Sequence, residues 1–299
     1  MKILLLGCNG QVGWELQRSL APLGDVIACD FDSTADLRAD FSAPDSVGSL
    51  IDRIQPQVIV NAAAHTAVDK AESETDLARA INAITPGIVA ERARALGALL
   101  VHYSTDYVFD GSGDRPRDEL AATGPLSVYG KTKLEGEERI RASGCRHLMF
   151  RTSWVYAARG HNFIKTMLRL AAERDELSVI SDQIGAPTGA DLLADVTAQT
   201  IAQVVAGRGE TGLFHCVAAG QTSWFDYARF VIEWARTQGM PVKVKSEAIR
   251  AVATEAYPTP AQRPRNSRLS TEKLQRVFSL ALPPWQHGVE RMLRETYGK

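Results

Sequence analysis

The stretch Lys2-Ile3-Leu4-Leu5-Leu6-Gly7-Cys8-Asn9-Gly10-Gln11-Val12-Gly13 indicates how this chain folds. Residues 3–6 form a continuous apolar run, which is typical of a parallel strand covered on both faces. The seven residues after it have the spacing G-x-x-G-x-x-G, and a helical pattern begins inside them. Strand, glycine loop and helix together predict the first βα unit of a dinucleotide-binding sheet.

Each of the three glycines has its own physical role in such a loop. Gly7 permits the tight turn, Gly10 lets the backbone approach a diphosphate, and Gly13 allows helix and strand to pack closely. Unpaired N–H groups at the helix start, around Gln11 and Val12, would hold the anion. We therefore predict that a dinucleotide binds at this loop.

Short apolar runs alternate with helical patterns from the N-terminus to about residue 151. The predicted strands are residues 3–6, 26–29, 58–61, 99–103 and 147–151. The helices predicted between them are residues 12–21, 43–54, 75–96 and 128–142. This alternation predicts an α/β fold with a doubly wound, Rossmann-type parallel sheet.

After residue 151 the pattern loosens into helices separated by loops rich in proline, glycine and threonine. The predicted helices are residues 163–173, 189–206, 225–238, 271–278 and 285–295. Because no long linker divides the chain, a smaller lobe packed on the first is expected. We predict a dinucleotide-binding domain at 1–151 and a mainly substrate-binding lobe at 152–299, interleaved near an approximate boundary.

Composition excludes several classes of protein. Of the 299 residues, 45% are apolar and 23% charged, as in a soluble globular enzyme. The 34 basic and 35 acidic side chains give a formal charge of -1, so no nucleic-acid partner is predicted. No apolar run approaches the roughly 20 residues that cross a bilayer, so no membrane partner is predicted. Four widely spaced cysteines without metal-ligand spacing predict reduced thiols in a cytoplasmic protein.

A carboxylate stands where the ribose of a bound dinucleotide is expected. Asp30 ends the second predicted strand, 17 residues beyond Gly13. It favours NADH, but the nearby Arg38 would offset its repulsion of a 2′-phosphate, so NADPH stays open. Asp40 and Phe41 precede the next helix and either cover the adenine or cap that helix. Three small residues after the third strand would let the cofactor lie against the backbone, or form a tight turn: Ala62, Ala63 and Ala64.

Tyr129 and Lys133 lie four residues apart in a predicted helix and therefore share one face. A tyrosine phenol has a pKa near 10, and a cation beside it would lower that pKa toward the working range. Such a pair suits proton exchange with a carbonyl oxygen. Thr105 follows the fourth predicted strand, at the sheet edge where α/β ligands bind, and can hydrogen-bond to a substrate oxygen or to Tyr129. We predict these three as catalytic residues and Thr105 also as a substrate contact.

With these residues in place, the chain resembles the extended, sugar-nucleotide-modifying branch of the short-chain dehydrogenase/reductase superfamily. The resembling segments run almost from end to end: residues 7–13, 61–72, 104–111, 129–133, 151–156, 182–188 and 263–269. The resemblance implies that a hydride passes from the nicotinamide to the C4 keto group of a deoxy-sugar attached to dTDP. It also implies that Tyr129 protonates the resulting alkoxide and that Lys133 holds the nicotinamide ribose.

The resemblance further implies which residues contact the dTDP-sugar. Asp106 and Trp154 match positions that touch the sugar, although a tryptophan after a strand is also common in a core. Arg263 and Arg265 either pair with the diphosphate or form a solvated basic loop.

Some members of this branch bind Mg²⁺ between subunits through acidic side chains. The matching positions here are Asp191 and Glu295, and an aspartate has less reach than the usual glutamate. This shorter reach puts metal-dependent dimerisation in doubt. We therefore assign no metal-binding residue and leave both Mg²⁺ and a homodimer open.

Related functions make different demands on these residues. A dehydratase of the branch typically has an adjacent Asp-Glu pair after the threonine, whereas Asp106 is followed here by Tyr107. An epimerase generally has small residues after the strand-end serine. A non-catalytic, NADP-binding regulatory subunit would not need Thr105, Tyr129 and Lys133 together. A reductase is therefore favoured, with these three functions as alternatives.

Overall fold

A parallel sheet of six strands lies at the centre of the computed structural model, which describes residues 1–298. The strands are, in chain order, β1 (Lys2–Leu6), β2 (Asp25–Cys29), β3 (Val58–Asn61), β4 (Leu99–Thr105), β5 (His147–Thr152), β6 (Val155–Tyr156), β7 (Leu177–Ile180), β8 (Ile184–Gly185), β9 (Thr188–Gly189), β10 (Gly212–His215), β11 (Thr222–Ser223) and β12 (Ile249–Val252). The α-helices are α1 (Gln11–Leu20), α2 (Pro44–Ile54), α3 (Val68–Ala71), α4 (Thr75–Arg79), α5 (Thr85–Leu96), α6 (Val128–Ser143), α7 (Phe163–Glu173), α8 (Ala190–Val205), α9 (Trp224–Thr237), α10 (Glu272–Phe278) and α11 (Trp285–Tyr297).

The order of strands in the central sheet places the ligand-binding edge. The order is β10-β5-β4-β3-β1-β2, and every neighbouring pair is parallel. β2 lies on one side of β1, whereas β3, β4, β5 and β10 follow one after another on the other side, so the winding reverses between β1 and β3. Ligands of open α/β sheets bind at the carboxyl ends of the strands near such a reversal. The predicted doubly wound, Rossmann-type α/β fold is confirmed.

Both faces of the central sheet are buried. Alternate residues of β1 enter two separate cores, with Ile3 and Leu5 in one and Leu4 and Leu6 in the other, and none of the four is exposed. Helices α1, α8 and α10 cover the first core, whereas α2, α5 and α6 cover the second. This double burial is why the strands appear in the sequence as uninterrupted apolar runs.

All five predicted strands are present, but the sixth strand of the sheet was missed. β10 is only four residues long, Gly212-Leu213-Phe214-His215, and pairs with β5 at the sheet edge. Its sequence starts with glycine and has only two apolar residues, Leu213 and Phe214, too few to stand out from the loops around it. The strand and α8 both come from the second half of the chain, so that half completes the sheet.

The helix predicted over residues 75–96 is interrupted. α4 ends at Arg79, a π-helical turn spans Ala80–Ile84, and α5 follows from Thr85. Pro86 has no N–H to donate to the carbonyl four residues earlier, so regular α-helical bonding cannot continue through this point.

A smaller, helical lobe packs beside the carboxyl edge of the sheet. Its core consists of α7, α9 and α11, rich in aromatic side chains. Short two-stranded ladders, β7 with β12, β8 with β11 and β6 with β9, connect these helices. Within residues 1–298, no helix is both long and apolar enough to span a membrane.

Candidate active site

The glycine loop between β1 and α1 is packed too closely for side chains at two of its glycines. A Cβ on Gly7, whose φ is +80°, would lie 2.5 Å from the backbone nitrogen of Ala63. A Cβ on Gly13 would lie 2.0 Å from the carbonyl oxygen of Gly7. At Gly10 the nearest atom would be 3.4 Å away, so this glycine faces open space. The loop is therefore wedged against the alanine segment after β3 and leaves Gly10 on its free side.

The N-terminus of α1 fits an anionic group. Gly10 occupies the N-cap position without a side-chain cap, and no acidic residue lies in the first turn. Unpaired N–H groups at such an end attract phosphate. The Oε1 atom of Gln11 is buried without a partner, which suits a ligand in the cleft. Arg159 adds a cation: its Nε donates to the carbonyl of Asn9 over 3.1 Å and its guanidinium lies 4.1 Å from the centre of the Trp14 ring.

Arg159 was missed by the sequence analysis. It lies 150 positions from Asn9, within a loop that has no recognisable motif. Only the tertiary fold brings it to the glycine loop. Among the residues that were predicted, the backbone N–H of Ala62 donates to the carbonyl of Leu6, which holds the alanine segment beside β1. Ala64 follows on the same segment, and the side chain of Val12 packs against the core under α1.

Asp30 organises the glycine loop. Its two carboxylate oxygens accept the backbone N–H groups of Asn9 and Phe31, each over 2.8 Å. Arg38 is more than half exposed and pairs with Asp40 at 3.3 Å. A ribose contact by Asp30 would therefore be made by a carboxylate that is already held in place by two backbone donors.

The alternative of Asp40 as a helix cap is wrong. α2 begins at Pro44 with Ala43 at the N-cap, whereas Asp40 accepts from the N–H and hydroxyl of Ser42 in the preceding turn. The proline at the first helical position has no N–H to be capped, and this displaces the helix start from Asp40. Phe41 is 5% exposed and belongs to the core on one face of the sheet.

Thr105, Asp106 and Tyr129 meet at the carboxyl end of β4. The hydroxyl of Thr105 donates to Oδ1 of Asp106 over 3.0 Å. Burial raises the pKa of Tyr129 to about 12, a hydrogen bond with Thr105 opposes this rise, and the charge of Asp106 adds to it. The Tyr129 ring also contacts Tyr107 edge to face, with ring centres 5.4 Å apart. Tyr129 is accordingly a protonated phenol over the neutral pH range.

The expected effect of Lys133 on Tyr129 is not found. The Nζ atom of Lys133 donates to the backbone carbonyl of Tyr103 over 2.6 Å and lies 3.5 Å from Nε2 of His102. Burial lowers the pKa of Lys133 to about 8, partly opposed by the carboxylate of Glu137. Although positions 129 and 133 share a helix face, the amine binds the carbonyl of Tyr103 and does not offset the burial that raises the pKa of the phenol.

Asp106 is a buried carboxylate with one unpaired oxygen. Burial raises its pKa to about 6, while hydrogen bonds from Ser267 and Thr105 partly oppose that rise. Its Oδ2 atom is buried and has no partner. Ser267 was not predicted individually, although it lies in one of the segments that carry the resemblance. The free oxygen can accept a hydroxyl group of a ligand.

A buried ion pair supports the floor of this site. Glu137 and Arg151 are 0% and 2% exposed and make two hydrogen bonds, of 2.6 and 2.8 Å. Ser104 donates to the same carboxylate over 2.5 Å. The group ties α6 to β4 and β5, and it gives each buried charge a partner, without which burial would be costly.

Trp154 lies beside the site in a strained backbone conformation. Its φ of +49° is rare for a bulky side chain and is found mainly where function or packing requires it. Its ring stacks on Trp224, with centres 3.6 Å apart. A Cβ on Gly185 would lie 2.7 Å from the Trp154 ring, so this glycine makes room for the indole. The tryptophan is therefore a packing residue, stacked on a residue that lines a cavity on the smaller lobe.

A cavity of about 440 Å³ opens on the smaller lobe, lined mainly by residues of α7, β7 and α9, with Asp69 of α3 at one side. Arg263 lines it and holds Asp69 through two hydrogen bonds of 2.8 and 3.1 Å. Trp224 and Phe163 form an apolar wall of the same cavity. Arg265 does not line it; its guanidinium pairs with Glu255 on the exposed surface. The two arginines thus differ in position, and only Arg263 faces the enclosed space.

The acidic positions considered for Mg²⁺ are engaged differently. Asp191 accepts from Arg291 over 3.0 Å and also from the N–H of Leu192. Glu295 lies near Glu15, where its charge raises the pKa of that carboxyl, after burial and the charge of Asp191. Over residues 1–298, no group of three or more potential metal ligands is clustered.

Comparison with known proteins extends these observations to the whole chain. Residues 1–297 match the family model described as the RmlD substrate binding domain. A protein of Escherichia coli K12 called dTDP-4-dehydrorhamnose reductase is 57% identical over 297 residues, 99% of this chain and 98% of its own. A reductase of the same name from Clostridium acetobutylicum has a crystal structure with a TM-score of 0.88 and 38% identity, covering 99% of both chains. Another, from Bacillus anthracis in complex with NADP, has a TM-score of 0.88 and 35% identity over 99% of both chains.

Proposed function

Because the chain belongs to the RmlD substrate binding domain family, with dTDP-4-dehydrorhamnose reductases as relatives across its whole length, we propose that it reduces dTDP-4-dehydro-L-rhamnose to dTDP-L-rhamnose. The observation that carries the proposal is the meeting of Tyr129, Thr105 and Asp106 at the carboxyl edge of the sheet, the edge at which the glycine loop also follows β1. NADPH or NADH is the proposed reductant; the Bacillus anthracis relative binds NADP.

The glycine loop fits the diphosphate of such a cofactor. The open side at Gly10, the uncapped start of α1 and the guanidinium of Arg159 all favour an anion there. The carboxylate of Asp30 is proposed to accept the adenosine ribose, and Phe41 with the alanine segment to form the floor. When bound, the reduced nicotinamide supplies the hydride to the C4 carbonyl carbon.

Tyr129 is proposed as the proton donor to the C4 oxygen. Hydride addition moves the carbonyl electron pair onto oxygen, and the O–H bond of Tyr129 then breaks to give the alcohol and a phenolate. Its raised pKa keeps the phenol protonated before the reaction. Thr105 is placed to hydrogen-bond to the same oxygen, and Lys133 to hold the nicotinamide ribose. Solvent returns the proton to Tyr129 after turnover.

The cavity lined by Arg263, Trp224 and Phe163 is proposed to bind part of the dTDP-sugar. Arg263 would face the diphosphate, its charge shared with Asp69, while Arg265 would act only at the rim. Trp154 and the unpaired oxygen of Asp106 would contact the sugar. The four cysteines are all free and buried, which supports a reducing compartment and hence a cytoplasmic location.

The test is oxidation of NADPH or NADH by dTDP-4-dehydro-L-rhamnose, with dTDP-L-rhamnose identified by NMR. We expect Tyr129→Phe to bind the cofactor normally and to lose at least about a hundredfold in kcat, because a proton donor is removed. Tyr227→Phe is the matched control: it removes a buried hydroxyl that has no partner and lies in the smaller lobe. Near-normal turnover by Tyr129→Phe would show that another group donates the proton.

A further inference from the structure

A hydrogen-bond chain runs behind the cofactor cleft, from β3 through β4 to α6. Asn61 ends β3, and His102 is its neighbour in register on β4. The Nδ2 atom of Asn61 lies 3.0 Å from Nδ1 of His102, and Nε2 of that ring lies 3.5 Å from Nζ of Lys133. All three side chains are at most 2% exposed. Water therefore does not take part in setting where the protons lie.

The backbone assigns the direction of this chain. The Oδ1 atom of Asn61 accepts the N–H of Ala63 over 3.0 Å, so its amide nitrogen must be the atom that faces His102. An amide nitrogen only donates, and Nδ1 of His102 must then accept. A neutral imidazole carries one proton, which is left on Nε2. That N–H points at the amine of Lys133.

Two donors then face each other at Lys133. An ammonium group has no lone pair and is disfavoured by the Nε2–H dipole, whereas a neutral amine would accept it. The other groups around the amine are the carbonyl of Tyr103 on β4 and the carboxylate of Glu137 on its own helix, both of which favour the ammonium. His147 on β5 acts on His102 rather than on the amine.

We propose that His102 is a positioning residue: Asn61 holds it with its proton on Nε2, and the N–H that it aims at Lys133 makes the ammonium ready to release a proton within the working pH range. The ring itself remains neutral, because burial and then the Lys133 charge lower the pKa of His102 well below its usual value. The inference rests on the proposed function only in assigning the nicotinamide ribose to Lys133. An ammonium donates to ribose hydroxyls, so cofactor affinity should fall as Lys133 is deprotonated.

The primary test is NMR on the cofactor-free protein, which needs no turnover. In ¹⁵N-histidine spectra we expect His102 to carry its proton on Nε2. Because its pKa is well below the usual value, we also expect the ring to remain neutral from about pH 6 to about pH 9. With ¹³C-labelled lysine, we expect the Lys133 signal to titrate with a midpoint of about 8.

Two variants change the donor in different ways. His102→Phe keeps the apolar bulk but removes the N–H, and should raise the Lys133 midpoint by about one pH unit. Asn61→Asp offers a carboxylate to Nδ1, so the ring proton should move there, Nε2 should accept from the ammonium, and the midpoint should rise by about one unit or more. His147→Gln is the control, with a shift of less than about 0.3 units expected. The alkaline loss of cofactor affinity should move with the midpoint in each variant.

A proton on Nδ1 in the wild type, or an unchanged Lys133 midpoint in the variants that fold, would overturn the proposal. If His102→Phe fails to fold, the wild-type spectrum and Asn61→Asp decide. A purely structural role of His102 would lower stability without moving the midpoint. Failure to reduce the dTDP-sugar, with the NMR results as expected, would count against the proposed function and leave this inference standing.

Discussion

Asp106 keeps a charge where carboxylates are seldom stable. The side chain is 2% exposed and accepts hydrogen bonds from Thr105 and Ser267, while its Oδ2 atom has no partner. Such an unpaired oxygen is costly to the folded protein and is retained mainly where a ligand uses it. We therefore expect Asp106→Asn to increase the free energy of unfolding near pH 8 while it lowers catalytic activity.

The pH dependence of that gain gives the sharper test. The pKa of Asp106 is about 6 in the folded protein, above its value of roughly 3.9 in an unfolded chain. Between these values the folded state binds more protons, so the wild type loses stability as the pH rises from about 4 to about 6. The advantage of Asp106→Asn should grow over that window to at most about 3 kcal/mol and then level off.

Urea unfolding of both proteins from pH 4 to 8 would measure this difference. Asp110→Asn is the control with the opposite sign, because hydrogen bonds from Ser112 lower the pKa of this exposed carboxyl. Replacing the Asp110 carboxylate should therefore lower the free energy of unfolding above about pH 4. An Asp106→Asn advantage that is independent of pH would contradict a buried, titrating carboxylate.

Residue spacing predicted which residues share a helix more reliably than it predicted which atoms their side chains contact. The four-residue spacing of Tyr129 and Lys133 correctly gave a shared helix, but a long lysine side chain has several rotamers, and the structure binds its amine to Tyr103. His102 carries no motif, and Asn61, although it opens the resembling segment 61–72, has no sequence signal for a contact with His102. They become visible only once β3, β4 and α6 are side by side.

At the scale of elements, the glycine loop separates a packing role from a binding role. Gly13 meets the backbone of Gly7 at 2.0 Å, so Gly13→Ala must push α1 away from β1 and should destabilise the protein by several kcal/mol. Gly10 has a φ of -70° and open space around it, so Gly10→Ala should leave the melting temperature within about 2 °C. The new methyl group would instead occupy the side that faces the diphosphate.

The matched measurement is thermal unfolding together with NADPH titration for both variants. We expect Gly10→Ala to weaken cofactor binding at least about tenfold without loss of stability, since about 1.4 kcal/mol of lost contact suffices. Gly13→Ala should lower both. Normal NADPH affinity in Gly10→Ala would mean that the diphosphate lies elsewhere.

Elements with a strong local pattern, either a continuous apolar run or a helical period, were the ones that the sequence predicted well. The buried strands and the amphipathic helices at 163–173 and 285–297 needed only local patterns. β10 and the interruption before α5 were missed for different reasons, one tertiary and one local. β10 forms by pairing with β5, and the helix break depends on a proline within an otherwise continuous helical pattern.

For the whole molecule, we propose that the boundary near residue 151 separates cofactor binding from substrate binding. It does not separate two folding units, because the second half of the chain completes the sheet and its core. α8 packs along α1, and β10 pairs with β5 through four residue pairs. The core on that face takes many apolar side chains from the second half, namely Leu193, Val196, Ile201, Val204, Phe214, Leu274, Phe278 and Leu282. Each is worth about 2 kcal/mol when buried, and together they rival the roughly 5–15 kcal/mol that stabilises a domain.

We therefore expect a fragment of residues 1–158 to lack a cooperative unfolding transition. Without β10, the apolar strand β5 becomes an unprotected edge, where Leu148 and Phe150 lose their cover and favour aggregation. Co-expression of residues 159–299 as a separate chain should restore the sheet, because the loop around residue 160 is exposed and tolerates a break. Circular dichroism and urea unfolding of the fragment alone and of the reassembled pair would decide. A fragment that unfolds cooperatively by itself would show that the first half carries a sufficient core, and that α8 and β10 are additions to it.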